Sequence, residues 1–578
     1  MRKISLLPFA VLLLGAGRAD AINNSVSYLR GGLPYSGPTG VSGLGAFIGE
    51  LEVQGSEGNG IDGFSGHRQG GLVNFLDVLD FRDGDPTDEY FHGTFVAGVM
   101  ASAYTDFTGV ALDAMYYGAV FNGADSKVAY LSLYNSMEYL ARTSGVSAVN
   151  HSWGGSVTAA DELTGSLYSE ALLMDEYSGY AGKISGTAGG YLDRLMVIAA
   201  GNNGKTTGLL GTPADSFNGL TVGALDAGGL PGAAWDDPAR TPLPVVAAYS
   251  SWRPLANGRA GVDVVAPGTH IWSTLAINYY TNANLVAGTA DGTSFAAPHV
   301  TGEAALLYGR AVDYNGTLGI PALASDKGTL LSTDHKLIKA VIINSADKIA
   351  GKDSNGLLQS VWTPGAVSVV SGVTNALVPL NYAVGAGKAN AKEALLQYQE
   401  TGNRFWDLFT LTNSGSAVYY TYGTGRFTNS TPSVPEYLNI TATLNWDRHI
   451  DFTVNTDPGS ALLGTVDKNL LSNLDLVLQR ESSPGTWEDV YKSAGLLDST
   501  EHLYMNLLPG NISYRIGVLG TNIAEPAIGE QYALAVNFAA VPEPGAALLL
   551  MLVAAGLAVR RRHKALSRRP TERRVSPT

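Results

Sequence analysis

The chain is 578 residues long, 45% hydrophobic and only 15% charged, with 70 glycines and no cysteine. Such length and apolar content suit a multidomain globular protein rather than a disordered or coiled-coil one, and the lack of cysteine excludes disulfides, a thiolate nucleophile and a cysteine-based zinc site. The formal charge is −14; without segments 1–21 and 560–578, 26 basic residues face 49 acidic ones, about −23, a body that nucleic acid would repel.

The first 21 residues, "MRKISLLPFAVLLLGAGRADA", combine a basic start, an apolar stretch and Ala19-Asp20-Ala21, the pattern of a secretory signal removed after about Ala21. From Leu44 to Leu396 short Val/Ile/Ala-rich runs ("AFIGEL", "VSAVNHSW", "RLMVIAAGN", "GLTVGAL", "VDVVAPG") alternate with helical patterns ("FVAGVMASAY", "KVAYLSLYNSMEYLARTSG", "HKLIKAVIINSADKI"). Unalternating apolar runs are what strands buried on both faces need, so residues 22–400 are expected to form an α/β domain around a mainly parallel sheet. Between Thr401 and Ala540 the texture changes to short alternating strands such as "YLNITATLNW", "LDLVLQR" and "YALAVNFA", which predict an antiparallel β-sandwich over 401–540. The remainder, 541–578, carries Pro-Glu-Pro, an apolar run from Gly545 to Val559 and then Arg560, Arg561 and Arg562. Fifteen residues rise roughly 22 Å as a helix, short of the roughly 30 Å hydrocarbon core of a bilayer, and the arginines would keep this end in the cytoplasm.

Chemistry gathers in three small-residue motifs. Ser294, in "DGTSFAAPHVTG", sits where a loop turns into an apolar helix, so free N–H groups and the helix dipole would favour an oxyanion there. Pro298 is expected among the early helical positions, where an N–H has no intrahelical partner to lose. A serine hydroxyl needs a base, and His92 opens another small-residue helix in "HGTFVAG". In "AAGNNG" a buried strand ends in a Gly-Asn turn that presents the Asn202 amide at the carboxyl end of the sheet, where open α/β sheets bind ligands.

Together "GTSFAAPHVTG", "HGTFVAG" and "AAGN" resemble the subtilisin-like serine proteases, the subtilases of peptidase family S8, with "TGVALDA", "NHSWGG", "GTPADSFNGLTVGA", "VDVVAPGTHIWST" and "GAGKANAKEAL" falling between and after them in the expected order. The resemblance implies a subtilisin-like three-layer fold, with Ser294 as nucleophile, His92 as general base and then acid, Asn202 with the Ser294 backbone N–H as the oxyanion hole, and Ser152, Trp153 and Gly154 in the substrate cleft. It also implies a serine endopeptidase acting on proteins or peptides. "NLDLVLQR" and "YRIGVLG" resemble the jelly-roll domains that follow many subtilase domains. His151 and His299 are expected to be local hydrogen-bonders rather than catalytic groups.

The acid of the triad departs from the pattern. Subtilases close an early strand with Asp-Ser/Thr-Gly; in "GLGAFIGELEVQG" that position falls on Glu52, followed by Val53-Gln54. Glu52 is the expected orienting acid. Glu50, two residues away on the same strand face, Glu57 and Asp62 are the other candidates, and a non-catalytic surface scaffold or binding protein is the alternative should no acid serve. Structural calcium is implied as an option by the resemblance; the acidic segment Asp80 to Glu89 does not match an EF-hand loop and is expected to be a solvated loop. The tail resembles the PEP-CTERM sorting signal, which implies processing by a membrane exosortase, transient or C-terminal membrane association, and export across the inner membrane of a Gram-negative bacterium to the cell surface or beyond.

Overall fold

The computed structural model describes residues 21–541, except 35–40, 55–73, 81–91, 105–106, 123–126, 144, 156–168, 182–189, 206–209, 227–243, 253, 256–257, 276–285, 315–331, 353–358, 360, 401–402, 422–436, 456–463 and 508–511. The expected signal but for Ala21, the acidic segment after Asp80, Glu57, Asp62 and the sorting tail from 542 onward lie outside the described residues. No helix among the described residues is long and apolar enough to cross a membrane.

The five apolar runs become strands of one sheet: β1 (Phe47–Gln54), β4 (Ala148–His151), β5 (Leu195–Ala199), β6 (Leu220–Asp226) and β8 (Val264–Pro267). Every residue of β4 and β5 is buried, as the absence of alternation foretells. The sheet adds β2 (Asn74–Asp80), β3 (Met115–Asn122) and the short β7 (Val245–Val246) in the order β7-β6-β5-β4-β1-β3-β2, with β8 pairing β6. All of these pairings are parallel except β6 with β7. Strand order reverses beside β1: the chain runs on through β4, β5 and β6 to one side, while β3 and β2 lie on the other. The crevice at the carboxyl ends of β1 and β4 is therefore where such a sheet holds its ligand.

Helix α1 (Ala21–Arg30) is followed along the chain by α2 (His92–Ala101), α3 (Lys127–Glu138), α4 (Ser169–Ser178), α5 (Thr293–Tyr314), α6 (His335–Ser345) and α7 (Ala391–Tyr398). The longest, α5, packs across β4, β5, β6 and β8. Strands β9 (Ile271–Leu275) and β10 (Val286–Ala290) form an antiparallel pair whose first strand lies along α2. There Ser273 Oγ donates to the Phe95 carbonyl at 2.6 Å and Thr274 Oγ1 to the Thr94 carbonyl at 3.1 Å. The guanidinium of buried Arg30 donates to the carbonyls of Leu33, Pro34, Val41 and Val110, which offsets its desolvation.

The second domain is built of β11 (Ala366–Val370), β12 (Val373–Val378), β13 (Arg404–Leu411), β14 (Ala417–Thr421), β15 (Tyr437–Trp446), β16 (Arg448–Val454), β17 (Gly464–Leu471), β18 (Asn473–Ser483), β19 (Thr486–Ser493), β20 (Thr500–Asn506), β21 (Tyr514–Asn522) and β22 (Glu530–Val541). A six-stranded sheet, β11-β12-β19-β18-β21-β14, faces a four-stranded one, β13-β22-β15-β20, and β16 pairs with β17. Their facing sides supply a separate core of Leu444, Trp446, Leu476, Ile516, Leu534 and other apolar residues. The hairpin β11–β12 precedes residue 400 in sequence yet joins the six-stranded sheet, because β12 runs parallel to β19. Chain order and spatial partition therefore differ at this junction.

The outer face of the four-stranded sheet rests on α6, so Trp406, Ala533 and Ala535 belong to the core of the α/β domain. Polar ties cross this contact. Asn218 accepts from the Arg448 N–H at 2.7 Å and donates to the Arg448 carbonyl at 2.9 Å. His335 lies between two carboxylates, with Nδ1 2.7 Å from Asp193 Oδ1 and Nε2 2.9 Å from Asp447 Oδ1. Burial alone would lower the His335 pKa, but the charge of Asp447 and the hydrogen bonds its ring donates to both carboxylates hold it up to about 9. A base held this way contributes all its stabilisation below its unfolded pKa of about 6.5 and loses it as pH rises through about 9. Thermal unfolding of the wild type should therefore shift downward between these pH values, and Asp447→Asn should flatten that slope while costing about 3–5 kcal/mol at pH 6. Parallel pH curves for the two proteins would show that His335 is not the titrating group.

Candidate active site

Glu52 lies two residues before the end of β1, on the strand where the sheet order reverses. Its Oε2 is 2.8 Å from Nδ1 of His92, the first residue of α2, and its Oε1 accepts from the Val53 N–H at 3.2 Å. Both side chains are buried, with 9% and 1% of their surfaces exposed. A carboxylate accepting at Nδ1 assigns the ring proton to that nitrogen and leaves the Nε2 lone pair to act as a base. The His92 ring packs against Phe295, with centroids 5.7 Å apart, and Phe295 in turn packs against Phe95 at 4.5 Å. These rings lock the start of α2 to the start of α5, next to Ser294.

Ser294 is the second residue of α5. Its Oγ donates to the Ser152 carbonyl at 3.1 Å, while Ser152 Oγ donates to the Ser294 carbonyl at 2.7 Å. Pro298 explains the second bond. It is not among the first helical positions, as expected from sequence, but the sixth, and it occupies the place whose N–H would bond the Ser294 carbonyl. Ser152 supplies the hydrogen bond that the proline removes. Ser152 is itself oriented by Asn150 Nδ2 at 2.8 Å, and Asn150 Oδ1 accepts from Thr301 Oγ1 at 3.1 Å.

Asn202 follows β5 in a turn whose Gly201 has φ +97°, a conformation that favours glycine. Asn202 Oδ1 accepts from both the N–H and the Oγ1–H of Thr293, each at 2.8 Å, and Thr293 Oγ1 accepts from the Gly201 N–H at 3.1 Å. A backbone N–H can only donate, so the amide's oxygen is the atom facing Thr293 and its NH₂ is presented on the side of Gly292, beside Ser294. The sequence singles out Asn202, but the residue that aims it, Thr293, shows no signal beyond its place before the serine.

The residues expected in a substrate cleft divide. The Ser152 side chain is committed to α5, and Trp153 is buried, edge-on to Phe121 at 4.8 Å; Gly154 is half-buried, next to a backbone bond from the Gly155 N–H to the Thr212 carbonyl at 2.8 Å. His151 lies against Met196 Sδ at 3.4 Å, and burial pushes its pKa down to about 3. His299 bonds the Phe295 carbonyl through Nδ1 at 2.7 Å and Ser25 Oγ through Nε2 at 3.1 Å; burial holds its pKa down at about 4. Both are local partners in the core.

Among the described residues Asp193, Asp334 and His335 stand close enough to share a metal ion. They do not fit one. Each nitrogen of His335 faces a carboxylate and its pKa is held up to about 9, so both nitrogens carry protons rather than a free lone pair, and a hard cation such as calcium takes oxygen ligands.

A profile of the subtilase family matches residues 78–368, about half of the chain, starting after β1 so that Glu52 lies outside the match. Subtilisin BL of Lederbergia lenta is 28% identical over 241 residues, 41% of this chain and 70% of its own. The thermophilic serine proteinase of Bacillus sp. strain AK1 is 30% identical over 256 residues, 43% of this chain and 50% of its own, and alkaline elastase YaB of Bacillus sp. strain YaB is 30% identical over 246, covering 41% and 52%. The chain thus spans about half the length of the last two. The solved structure of the prenylagaramide maturation protease PagA aligns with 61% of this chain and 92% of that one at 20% identity, with a TM-score of 0.37.

The exchange between Ser152 and Pro298 is testable by a double-mutant cycle. Ser152→Ala should strand the Ser294 carbonyl at a cost of about 1–3 kcal/mol, and adding Pro298→Ala, which restores a helical N–H, should recover part of that loss in chemical unfolding. Strictly additive effects would show that the two residues do not serve the same carbonyl.

Proposed function

The chain belongs to the subtilase family of serine proteases, and on that premise we propose that it hydrolyses peptide bonds through an acyl-enzyme on Ser294. His92 takes the Ser294 proton as general base and returns it to the leaving amine as general acid. Glu52 holds the imidazole in the productive tautomer and stabilises the imidazolium. Asn202 Nδ2 and the Ser294 N–H, at the dipole-positive start of α5, receive the negative oxygen of the tetrahedral intermediate. The observation that carries this reading is the 2.8 Å hydrogen bond from His92 to Glu52. It supports the longer carboxylate in the role the family gives to aspartate.

In the resting arrangement the single hydroxyl proton of Ser294 is directed at the Ser152 carbonyl. Attack requires that proton to turn to His92 Nε2, so the Ser152 bond sets a resting pose rather than a reacting one. Water then repeats the sequence on the acyl-enzyme, with His92 again as base. The substrates are proteins or peptides. The cationic, apolar start of the chain and the Pro-Glu-Pro, apolar and arginine-rich tail support export through the inner membrane of a Gram-negative cell. They also support retention at the surface until an exosortase-type enzyme cuts the tail.

A serine-directed fluorophosphonate should label the wild-type protein and leave Ser294→Ala unlabelled; a wild type that stays unlabelled would refute the protease reading in favour of a scaffold. Glu52→Gln, which keeps the shape and loses the charge, should lower kcat on a casein-derived peptide by about 10⁴. Glu52→Asp should also be poor, on the order of 100-fold down, because the carboxylate is drawn back from a fixed histidine. Near-normal turnover in Glu52→Asp would show that α2 follows the acid inward.

A further inference from the structure

A scissile carbonyl carbon must come within about 3–3.5 Å of Ser294 Oγ to be attacked. That Oγ lies 3.1 Å from the Ser152 carbonyl, so a peptide reaching it runs beside the segment that continues from Ser152 to Gly155. At the far end of this segment the Gly155 N–H donates to the Thr212 carbonyl at 2.8 Å. The two backbones are in close contact: a Cβ added at Gly211 would stand 2.4 Å from the Gly155 carbonyl oxygen, and one at Gly154 3.3 Å from that of Thr212. Residues 211–219 therefore set where this wall of the cleft stands.

Residues 211–219 are wound into a compact turn, in which the Ala214 N–H donates to the Gly211 carbonyl at 2.8 Å and the Ser216 N–H to the Pro213 carbonyl at 2.9 Å. Its far end is gripped from both domains. From the α/β domain, Asp175 of α4 accepts from Ser216 Oγ, the Phe217 N–H and the Asn218 N–H at 2.5, 2.8 and 2.9 Å. Lys339 of α6 donates to the Phe217 and Gly219 carbonyls at 2.8 and 2.7 Å. From the second domain, Arg448, which opens β16, joins its backbone N–H and carbonyl to the Asn218 side chain at 2.7 and 2.9 Å. Its guanidinium lies 4.5 Å from the centre of the Phe217 ring, and its Nη2 is 3.5 Å from Asp175 Oδ2. Ser499 Oγ adds a bond to the Phe217 carbonyl at 3.0 Å. Asn218, Arg448, Ser499 and Asp175 are all buried, which strengthens both the polar ties and the cation–π contact.

We propose that Arg448 is a positioning residue of the substrate cleft: from the second domain it fixes the turn 211–219 against which the peptide-binding segment 152–155 is held. It rests on the serine-protease reading above, and it gives the β-sandwich a part in substrate binding without touching the peptide. The relay runs from Arg448 through Asn218 and Phe217 to Thr212 and then Gly155, each step a printed contact of backbone or ring. The catalytic groups lie outside it, since β1 carries Glu52, α2 carries His92 and Thr293 orients Asn202. Loosening the turn should therefore weaken the hold on a peptide and leave the reactivity of Ser294 intact.

Arg448→Leu keeps bulk but removes the stack on Phe217 and the charge near Asp175, and Asn218→Ala removes both bonds to the Arg448 backbone. Each should raise KM for a casein-derived peptide on the order of 10-fold with kcat within a few-fold, the pattern of lost uniform binding. A small fluorophosphonate, too short to lie along residues 152–155, should label both variants as fast as the wild type. A merely structural loss would instead lower labelling and turnover together. Should Arg448→Leu fail to fold, Ser499→Ala, which removes a single hydroxyl, repeats the test with a several-fold rise in KM expected. Unchanged KM in the folded variants, or labelling that slows in step with turnover, would overturn the proposal. Labelling of the wild type decides the underlying reading separately: a labelled wild type with unchanged KM in the variants refutes only the role of Arg448, and an unlabelled wild type refutes both.

Discussion

The hydrogen bond between Glu52 and His92 is the constraint on which the site depends, and both of its ends are fixed by the fold. Glu52 is carried by β1, which is hydrogen-bonded to β3 on one side and β4 on the other and so cannot slide without breaking two ladders. His92 begins α2, whose first turns are tied to β9 by the Ser273 and Thr274 hydroxyls and wedged against α5 through Phe95 and Phe295. A charge-assisted bond at 2.8 Å with both partners buried is strengthened by the low local dielectric and would be costly to leave half-made. Placing it at the switch in strand order brings His92, Ser294 and the Asn202 turn to one edge of the sheet.

The two parts of the molecule divide their polar chemistry. Around Ser294 the supporting network is neutral: Ser152, Asn150, Thr301, Thr293 and Asn202 exchange hydroxyl and amide hydrogen bonds. The contact between the domains instead concentrates ions, with His335, Lys336, Asp193 and Asp447 in one group and Arg448 near Asp175 in another. Neutral donors order Ser294 without adding a fixed charge beside His92. Buried ion pairs demand a unique geometry because a mispaired charge is expensive, and that suits a joint between domains. The β-sandwich is thus not loosely tethered: its four-stranded sheet completes the core over α6 and α7, with Gln397 of α7 donating to the Phe405 and Val536 carbonyls at 2.7 and 3.1 Å.

What the sequence makes legible follows the strength of its local signals. The five unalternating apolar runs declare their strands, and the small-residue motifs around His92, Asn202 and Ser294 mark helix starts and a strand end whose chemistry is local. Strands β2 and β3 escape notice because "NFLDVLD" places two aspartates in the run and "MYYGAVFN" interrupts it with a glycine. Residues that act only through tertiary contacts carry no local mark. The tie of Ser152 to α5 has no mark until Pro298 is seen to need a substitute donor, and that of Tyr116 has none until its hydroxyl is found on Glu50. The hairpin β11–β12 is similarly opaque, because its pairing with β19 spans more than a hundred residues of intervening chain.

The length of the acid at position 52 has a geometric setting in the rest of the chain. Asp407 and Asp498 each accept from the N–H of the next residue at 3.0 Å, the contact that Glu52 makes with Val53 at 3.2 Å. A carboxylate anchored in this way has one oxygen left to reach outward, and in glutamate that oxygen stands farther from the strand by up to about one C–C bond, roughly 1.5 Å. The histidine must then stand correspondingly farther from β1. Helix α2 has no freedom to make up such a distance, since a Cβ added at Gly98 would come within 2.2 Å of Thr274 Oγ1 and 2.4 Å of Ser273 Oγ. The separation of α2 from β1 is therefore set by the packing of β9 on α2, and the length of the acid at position 52 follows from it. An acid of that length brings extra torsional freedom into the site, and the Val53 N–H on its Oε1 limits that freedom from within the same strand.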